Sequence, residues 1–409
     1  MSSNPYKYFM PTRVEGGIGV SEKTGEMIKE LGATRVLIVT DKGIRAANLL
    51  EGIENSLLAA NLDYDIFDEV EPNPSVETIN KGTKYLMHHK SDAVLAVGGG
   101  SSIDTAKGIA VMAKNSGSIL DYEGVGKIEF PPLPIIAIPT TAGTGSEVTA
   151  STVVTNKETQ FKFAVLSPSL YPSLAILDPV LTLGLPQGLT AATGMDALTH
   201  AIESYTSKAA NPISQSFAIQ AIKMIGENIT KAYFVGTDIK SRENMLVASM
   251  MAGAAFAQSR LGNVHAISHT LGGVFNIPHG IANAALLPFV MKFNLPACAE
   301  QYKDIAVSLG KDVNGLSTLE AAEKAIDAVI EMNQTMKIPL NIRELGVSLE
   351  LVPKLVNDAM RSGNVFINPR LTTAEDIQMI IEKAYYGDIE EFETIKMKDT
   401  PRSSVLSHS

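Results

Sequence analysis

Residues 92–114 read DAVLAVGGGSSIDTAKGIAVMAK. The first half is almost continuously apolar, as a strand buried on both faces must be. It runs into three glycines and two serines, and the remainder carries helical spacing. Glycines let the backbone come close to a phosphate. The helix that follows offers unpaired N–H donors and a partial positive charge at its N-terminus, and the serine hydroxyls add further donors. The same stretch also reads as a helix-capping turn with no ligand at all.

The pattern repeats on either side. SEKTGEMIKELG (21–32) predicts an amphipathic helix stopped by Gly32. RVLIVTD (35–41) predicts a buried strand, KGIRAANLLEGIENSLLAAN (42–61) a helix, and DYDIFDEV (63–70) a second strand. EPNPS then turns into a helix reaching about His89, and LPIIAIPTTAGTGSE (133–147) is a strand ending in another loop of small residues. Alternating strands and helices with apolar strands predict a parallel sheet covered on both faces. Loops after Thr40, Val97 and Ile138 all leave strand carboxyl ends, where such sheets bind ligands. The opening EGGIGV suggests a tight turn joining short strands. SEVTASTVVT, FKFAVLS and LAILDP are β-like and either extend the sheet or form a hairpin beside it.

From about residue 189 the text is rich in Ala, Met, Ile and Leu at helical spacing. A boundary near Leu185 divides the chain into an α/β domain, 1–184, and a helical domain, 185–409. Met-rich ENMLVASMMAGAAFA is most simply a packed core.

The length of 409 residues exceeds one ordinary core, in keeping with two domains. Hydrophobic residues make up 45% and charged residues 19%, and the net charge is −10. That acidic balance argues against nucleic acid or anionic membrane as partners. Cys298 is the one cysteine, which excludes an intramolecular disulfide and a cysteine-based zinc site. No signal segment and no apolar run of ~20 residues occurs, so the expectation is a cytoplasmic protein. The tail TPRSSVLSHS is polar, and its His408 is a poor candidate for chemistry.

Three of seven histidines fall in GNVHAISHTLGGVFNIPHGIANAALLP (262–288): His265, His269 and His279. His265 and His269 share one helical face, and His279 follows Pro278, which suits the start of a new turn or helix. In GMDALTHAIESY, Asp196 and His200 also stand four apart. Each pair alone is ordinary on a helix. Together, an Asp and up to four imidazoles on two helices could close around one divalent metal. Mixed nitrogen and carboxylate ligation suits Fe(II), Zn, Co or Ni. The order of elements differs from the usual dinucleotide fingerprint, because Asp41 precedes the glycines. Asp41 could accept bonds from ribose hydroxyls and repel a 2′-phosphate, favouring NAD over NADP. It could equally be an N-cap. PTTAGTGSE (139–147), dense in hydroxyls, suits a nucleotide or a plain surface loop.

At GGGSSIDTAK, PTTAGTGSEVT, GMDALTHAIESY and the histidine stretch with PHG, the sequence resembles the iron-containing (group III) alcohol dehydrogenases, over residues ~5 to ~385. The resemblance implies a Rossmann-like dinucleotide-binding domain followed by an all-helical metal domain, an architecture similar to dehydroquinate synthase. It implies metal ligands Asp196, His200, His265 and His279. It assigns His269 to the nicotinamide and substrate, where it assists proton movement. It places NAD against Asp41, Asn73, Gly99, Gly100, Ser101, Thr140, Thr141, Thr144 and Lys162. The expected activity is NAD-dependent interconversion of a small primary alcohol or diol and its aldehyde, by a homo-oligomer (a dimer or larger). The alternatives are a zinc-type polyol (glycerol) dehydrogenase and a metal-dependent hydrolase or lyase. The twenty or so residues after the closing helix depart from the family pattern.

Overall fold

The computed structural model describes residues 5–390 except Gln160, so the polar tail with His408 lies outside the described residues. The strands are β1 (Arg13–Gly16), β2 (Arg35–Val39), β3 (Asp63–Phe67), β4 (Ala93–Gly98), β5 (Gly124–Val125), β6 (Ile135–Pro139), β7 (Ser151–Asn156), β8 (Phe161–Leu166) and β9 (Leu174–Leu177). Six of them form one sheet in the order β1-β9-β6-β4-β2-β3, every pair parallel. Between the strands lie α1 (Thr24–Glu30), α2 (Lys42–Ala46), α3 (Glu51–Ala59), α4 (Val76–His89) and α5 (Gly100–Met112).

Strand side chains alternate between two buried faces. Val36, Ile38, Leu95, Val97, Ile136 and Ile138 pack on Met27 and Ile28 of α1 and Ile53 and Leu57 of α3. Leu37, Val39, Val94, Ala96, Ile135 and Ala137 pack on Leu86 of α4 and Ile103, Ala106 and Ile109 of α5. Each fully buried aliphatic contributes about 1.5–3 kcal/mol. Covering both faces leaves only the strand ends open to a ligand.

Of the three β-like segments after residue 147, two form the antiparallel β7–β8 hairpin, with β5 alongside β8. The third, β9, enters the main sheet between β6 and β1. Two expectations need correction. EGGIGV does not join strands: β1 ends at Gly16, and Gly17 and Gly19, both at positive φ, lead into a short 3-10 turn at Val20–Lys23. The stretch 42–61 is not one helix. Asn48 adopts φ +55°, a conformation asparagine tolerates better than most residues. The break re-aims the chain so that Leu50, Ile53 and Leu57 all bury.

No strand follows Leu177 among the described residues. The helices there are α6 (Gln187–Thr206), α7 (Pro212–Phe234), α8 (Ile239–Ser259), α9 (Asn263–Phe275), α10 (His279–Asn294), α11 (Ala299–Ser308), α12 (Thr318–Thr335), α13 (Val352–Met360), α14 (Asn364–Ile367) and α15 (Ala374–Tyr386). They share one core in which Met195, Leu198, Ile225, Met245, Ile267, Phe289 and Phe293 meet. In the Met-rich α8, Met245 fills that core, while Met250 packs against Val148 and Ala175 of the α/β part. Cys298 is buried with its thiol against the Asn294 carbonyl, and burial pushes its pKa up to about 12. Among the described residues, no helix is long and apolar enough to cross a membrane.

The two halves meet closely at Gly145 and Gly253. A Cβ on Gly253 would stand 2.7 Å from the Gly145 carbonyl oxygen, and one on Gly145 would stand 2.6 Å from the Gly253 Cα. The loop after β6 is thereby pressed directly onto α8.

Candidate active site

Strand order reverses between β2 and β4, since β3 lies to one side of β2 and β4 to the other. A parallel sheet opens a crevice at such a point. Asp41 stands at its β2 wall. Its Oδ1 accepts from the N–H groups of Gly43 and Ile44, at 2.7 and 3.1 Å, so it caps α2. Its Oδ2 accepts no hydrogen bond among the described residues and faces Gly98, where a Cβ would lie 3.7 Å away. The cap and the ribose readings are therefore compatible, one oxygen for each.

The β4 wall is built by glycines for close approach. Gly98 has φ +150°, and a Cβ there would meet Ser102 Oγ at 2.4 Å. On Gly99 it would stand 3.3 Å from Thr141 Oγ1, and on Gly100 2.6 Å from Thr144 Cγ2. The loops after β4 and β6 thus close on each other. The Thr140 N–H donates to the Gly98 carbonyl at 3.0 Å. Across the crevice, Ser101 Oγ donates to the Pro72 carbonyl at 2.6 Å, and Lys162 Nζ donates to Asn73 Oδ1 at 2.8 Å. Burial lowers the Lys162 pKa. Its ammonium lies 3.6 Å from where a Gly272 Cβ would be, so β8 reaches over to α9. The nine residues expected around the nucleotide stand on the segments after β2, β3, β4 and β6 and on β8, with Thr140 buried.

Beside it, α6 carries Asp196 and His200, α9 carries His265 and His269, and α10 opens at His279. Asp196 Oδ1 is the common pole. It stands 3.8 Å from His200 Nε2, 3.8 Å from His265 Nε2 and 3.7 Å from His279 Nε2. Asp196, His265 and His279 form the tightest group, one ligand atom of each within 4.8 Å of the others. His200 stands outside that triad but shares the carboxylate oxygen. Its Nδ1 lies 3.3 Å from the Gly143 carbonyl, which only accepts; Nδ1 therefore carries the proton and Nε2 presents a lone pair. His269 is not in the ligand group. It stacks on His279, ring centroids 5.2 Å apart, and meets His265 edge-on at 5.9 Å.

This donor set fits a divalent cation. Four groups turn ligand atoms toward one region, and the nearest donor is the Asn283 amide, Nδ2 being 2.6 Å from Asp196 Oδ1 and 3.1 Å from both His265 Nε2 and His279 Nε2. Two N–H bonds cannot serve three acceptors at once. Asn283 Oδ1 is buried without a partner. The electrostatics are polarised. Burial opposes ionisation of Asp196, yet His200 and His279 hold its carboxyl well below the usual range. Burial draws His200 down to about 4 and His279 to about 3. Burial opposes charge on His265 too, but the Glu203 carboxylate bonded to it and the Asp196 carboxylate beside it raise it to about 9, so a proton on Nε2 is one that a bound cation would displace. His269 is lowered by burial and by its neighbours His279, His265 and Lys162.

Two site residues escaped the sequence reading. Glu203 bonds to His265 Nδ1 at 2.6 Å, and Asn283 sits among the ligands. The signal was helical spacing: Glu203 follows Asp196 by seven residues, and Asn283 follows His279 by four.

Residues 11–179 match the family described as "Iron-containing alcohol dehydrogenase", and residues 190–385 match "Fe-containing alcohol dehydrogenase family, C-terminal". The chain is 43% identical over 387 residues to the 1,3-propanediol dehydrogenase of Klebsiella pneumoniae, covering 94% of this chain and all of that one. It is 43% identical over 377 residues to the NAD-dependent methanol dehydrogenase of Bacillus methanolicus, covering 92% of this chain and 99% of the relative. The solved structure of a 1,3-propanediol oxidoreductase superposes with a TM-score of 0.92 at 42% identity, covering 93% of this chain and 100% of that chain. The sheet, the helical half and these matches together make the chain a member of the iron-containing alcohol dehydrogenase family, an oxidoreductase that interconverts an alcohol and its aldehyde.

Proposed function

We propose that this enzyme uses NAD rather than NADP, carries Fe(II), and acts on a small primary alcohol or diol, 1,3-propanediol being the leading candidate. In this reading residues 1–184 hold the dinucleotide and residues 185–409 hold the metal through Asp196, His200, His265 and His279. The observation that carries it is the convergence of the three histidine Nε2 atoms on Asp196 Oδ1 beside the β2–β4 crevice. The substrate class follows from relatives that act on propanediol and methanol.

A divalent ion held there supplies Lewis acidity to the alcohol or carbonyl oxygen, which offsets negative charge developing as hydride leaves. The protein does the remainder. Glycines 98–100 and the loop at 140–144 receive the pyrophosphate at the start of α5, where helix N–H groups are unpaired. Asp41 Oδ2 accepts from ribose. Lys162, reaching from Asn73 to the edge of α9, ties nucleotide to helices. His269, stacked on His279 but outside the ligand group, accepts the hydroxyl proton and passes it outward.

Anaerobic purification followed by metal analysis tests this reading, with a panel of ethanol, butanol, methanol, 1,3-propanediol and 1,2-propanediol assayed by NADH absorbance. About one iron per chain and highest kcat/KM on a primary alcohol with NAD are expected. His265→Ala and His279→Ala should each lose most of the metal and the activity. Full metal content in both variants overturns the ligand assignment; zinc as the metal that restores activity favours a polyol dehydrogenase instead.

A further inference from the structure

Glu203 lies on α6 seven residues after Asp196 and three after His200, on the same side of the helix. It is buried, 6% exposed, in the core of a helical half where an isolated carboxylate is costly. Both of its oxygens are committed to α9. Oε1 accepts from the Val264 N–H at 2.7 Å, one of the first-turn donors that a helix leaves unpaired. Oε2 accepts from His265 Nδ1 at 2.6 Å. The fit leaves no slack, since a Cβ on Gly262 would stand 3.0 Å from Oε1.

We propose that Glu203 is a positioning residue that locks His265 in its Nδ1–H form and thereby sets the affinity of the metal centre. The inference rests on the four-ligand reading above, and concerns a residue outside that ligand set. A carboxylate only accepts hydrogen bonds, so the proton between it and His265 must sit on Nδ1. Nε2 is then the nitrogen left to ligate, on the side where Asp196 Oδ1 and His279 Nε2 converge. A carboxylate behind an imidazole also raises the basicity of the ligating nitrogen. The Val264 bond holds the carboxylate itself, and that bond lies at a helix N-terminus, where negative charge is favoured.

The chemistry singles out one substitution. Glutamine at 203 has the same shape, but one of its terminal atoms is an NH2 donor. If its oxygen keeps the Val264 bond, the NH2 faces His265 Nδ1 and demands a lone pair there. The proton then moves to Nε2, where it blocks ligation. If the amide turns over, NH2 confronts the Val264 N–H. Neither arrangement preserves both bonds. The change is therefore nearly neutral in volume and adverse for the ligand.

The test is a titration of metal-free, full-length protein with Zn(II) against a chromophoric chelator, comparing wild type, Glu203→Gln, Glu203→Asp and His265→Ala. Glu203→Gln is expected to weaken Zn(II) binding about 10–100-fold, the range for loss of such outer partners. Glu203→Asp, which keeps the charge, should recover part of that loss. His265→Ala should bind weakest. Thermal melting of the metal-free proteins separates a packing effect, which would lower Tm without the Gln–Asp difference in affinity. A second measurement needs no variant: in Zn(II)-loaded wild type, 15N imidazole NMR should find His265 protonated at Nδ1 and metal-shifted at Nε2. Glu203→Gln binding within threefold of wild type, or His265 ligated through Nδ1, overturns the proposal. If His265→Ala also binds Zn(II) like wild type, the metal-centre reading fails with it; if only Glu203→Gln does, that reading stands.

Discussion

The carbonyl of Gly143 accepts a hydrogen bond from His200 Nδ1 at 3.3 Å, so a loop of the α/β half orients a histidine of the helical half. The same loop carries Thr141 and Thr144 against Gly99 and Gly100. The proposed nucleotide side and the proposed metal side therefore share one piece of backbone. Gly143→Ala would place a Cβ 2.7 Å from Thr193 Cβ and 3.1 Å from the Thr193 carbonyl oxygen. The loop must shift away from α6, and both functions should suffer. The expected result is a loss of roughly tenfold in NADH affinity together with weaker metal retention, the first read by fluorescence titration and the second by metal analysis after dialysis. A change in one without the other would show that the two sides are not mechanically joined here.

Asp41 divides its oxygens between a cap and the crevice. Asp41→Gly removes both side-chain roles, although glycine at an N-cap costs only a few tenths of a kcal/mol. Asp41→Asn is the cleaner change, because its amide oxygen can still cap α2 while the negative charge disappears. It should raise kcat/KM with NADP relative to NAD about tenfold or more, through loss of repulsion toward a 2′-phosphate. Tm should move by less in Asp41→Asn than in Asp41→Gly. An unchanged cofactor ratio in both variants would remove Asp41 from cofactor choice.

Those two cases mark what sequence could and could not carry. The apolar runs 35–39, 93–97 and 135–138 announced a doubly covered parallel sheet, because burial on both faces leaves no polar alternation to disguise. The helices carrying the proposed ligands were legible in part, from four-residue spacing at Asp196/His200 and His265/His269, while Pro278 left a turn or a helix open at His279. Asn48 hid the break in 42–61, since a residue that tolerates positive φ does not announce that it uses it. Gly143 and Glu203 were invisible as partners of His200 and His265 for another reason. Their hydrogen bonds span 57 and 62 residues of chain, and no local pattern encodes a contact between separate elements. The separation of His269 from the ligand set came from the resemblance alone, since four-residue spacing puts His265 and His269 on one face and lets either ligate.

Glu147 gives the protein a pH signature away from the active site. Burial raises its carboxyl to about 7, although Lys107 pulls the other way, and its Oε1 is buried without a partner. Lys107 is itself buried, donating to the carbonyls of Ser146, Thr149 and Ser151 at 2.8–2.9 Å. A carboxyl whose folded pKa is raised is favoured in the folded state while protonated. Its contribution is fully present below the unfolded value near 4.5 and is lost as pH rises through about 7. Glu147→Gln removes that titration. The stability difference, variant minus wild type, should therefore grow between pH 5 and pH 8, by on the order of 1–3 kcal/mol. Urea unfolding at the two pH values measures it. A difference that stays flat or shrinks with pH would mean that the carboxyl is ionised in the folded protein throughout.

The junction of Gly145 and Gly253 makes the last prediction, because it is where the loop after β6 meets α8 backbone to backbone. Gly145 holds φ +60°, which an alanine there would strain in addition to its collision with Gly253 Cα. Gly253 is helical, so Gly253→Ala should gain about 1 kcal/mol of intrinsic helix preference if nothing opposed it. Its Cβ would instead meet the Gly145 carbonyl oxygen at 2.7 Å and the Gly145 Cα at 2.8 Å. Backbone atoms cannot rotate away as a side chain can, so the overpacking cost of about 1–3 kcal/mol should prevail. Gly253→Ala is expected to lower Tm and to raise KM for the nucleotide, since the displaced loop carries Thr141 and Thr144 to the crevice. A variant with raised Tm and unchanged KM would mean that the junction can open by a few tenths of an ångström without disturbing the loop.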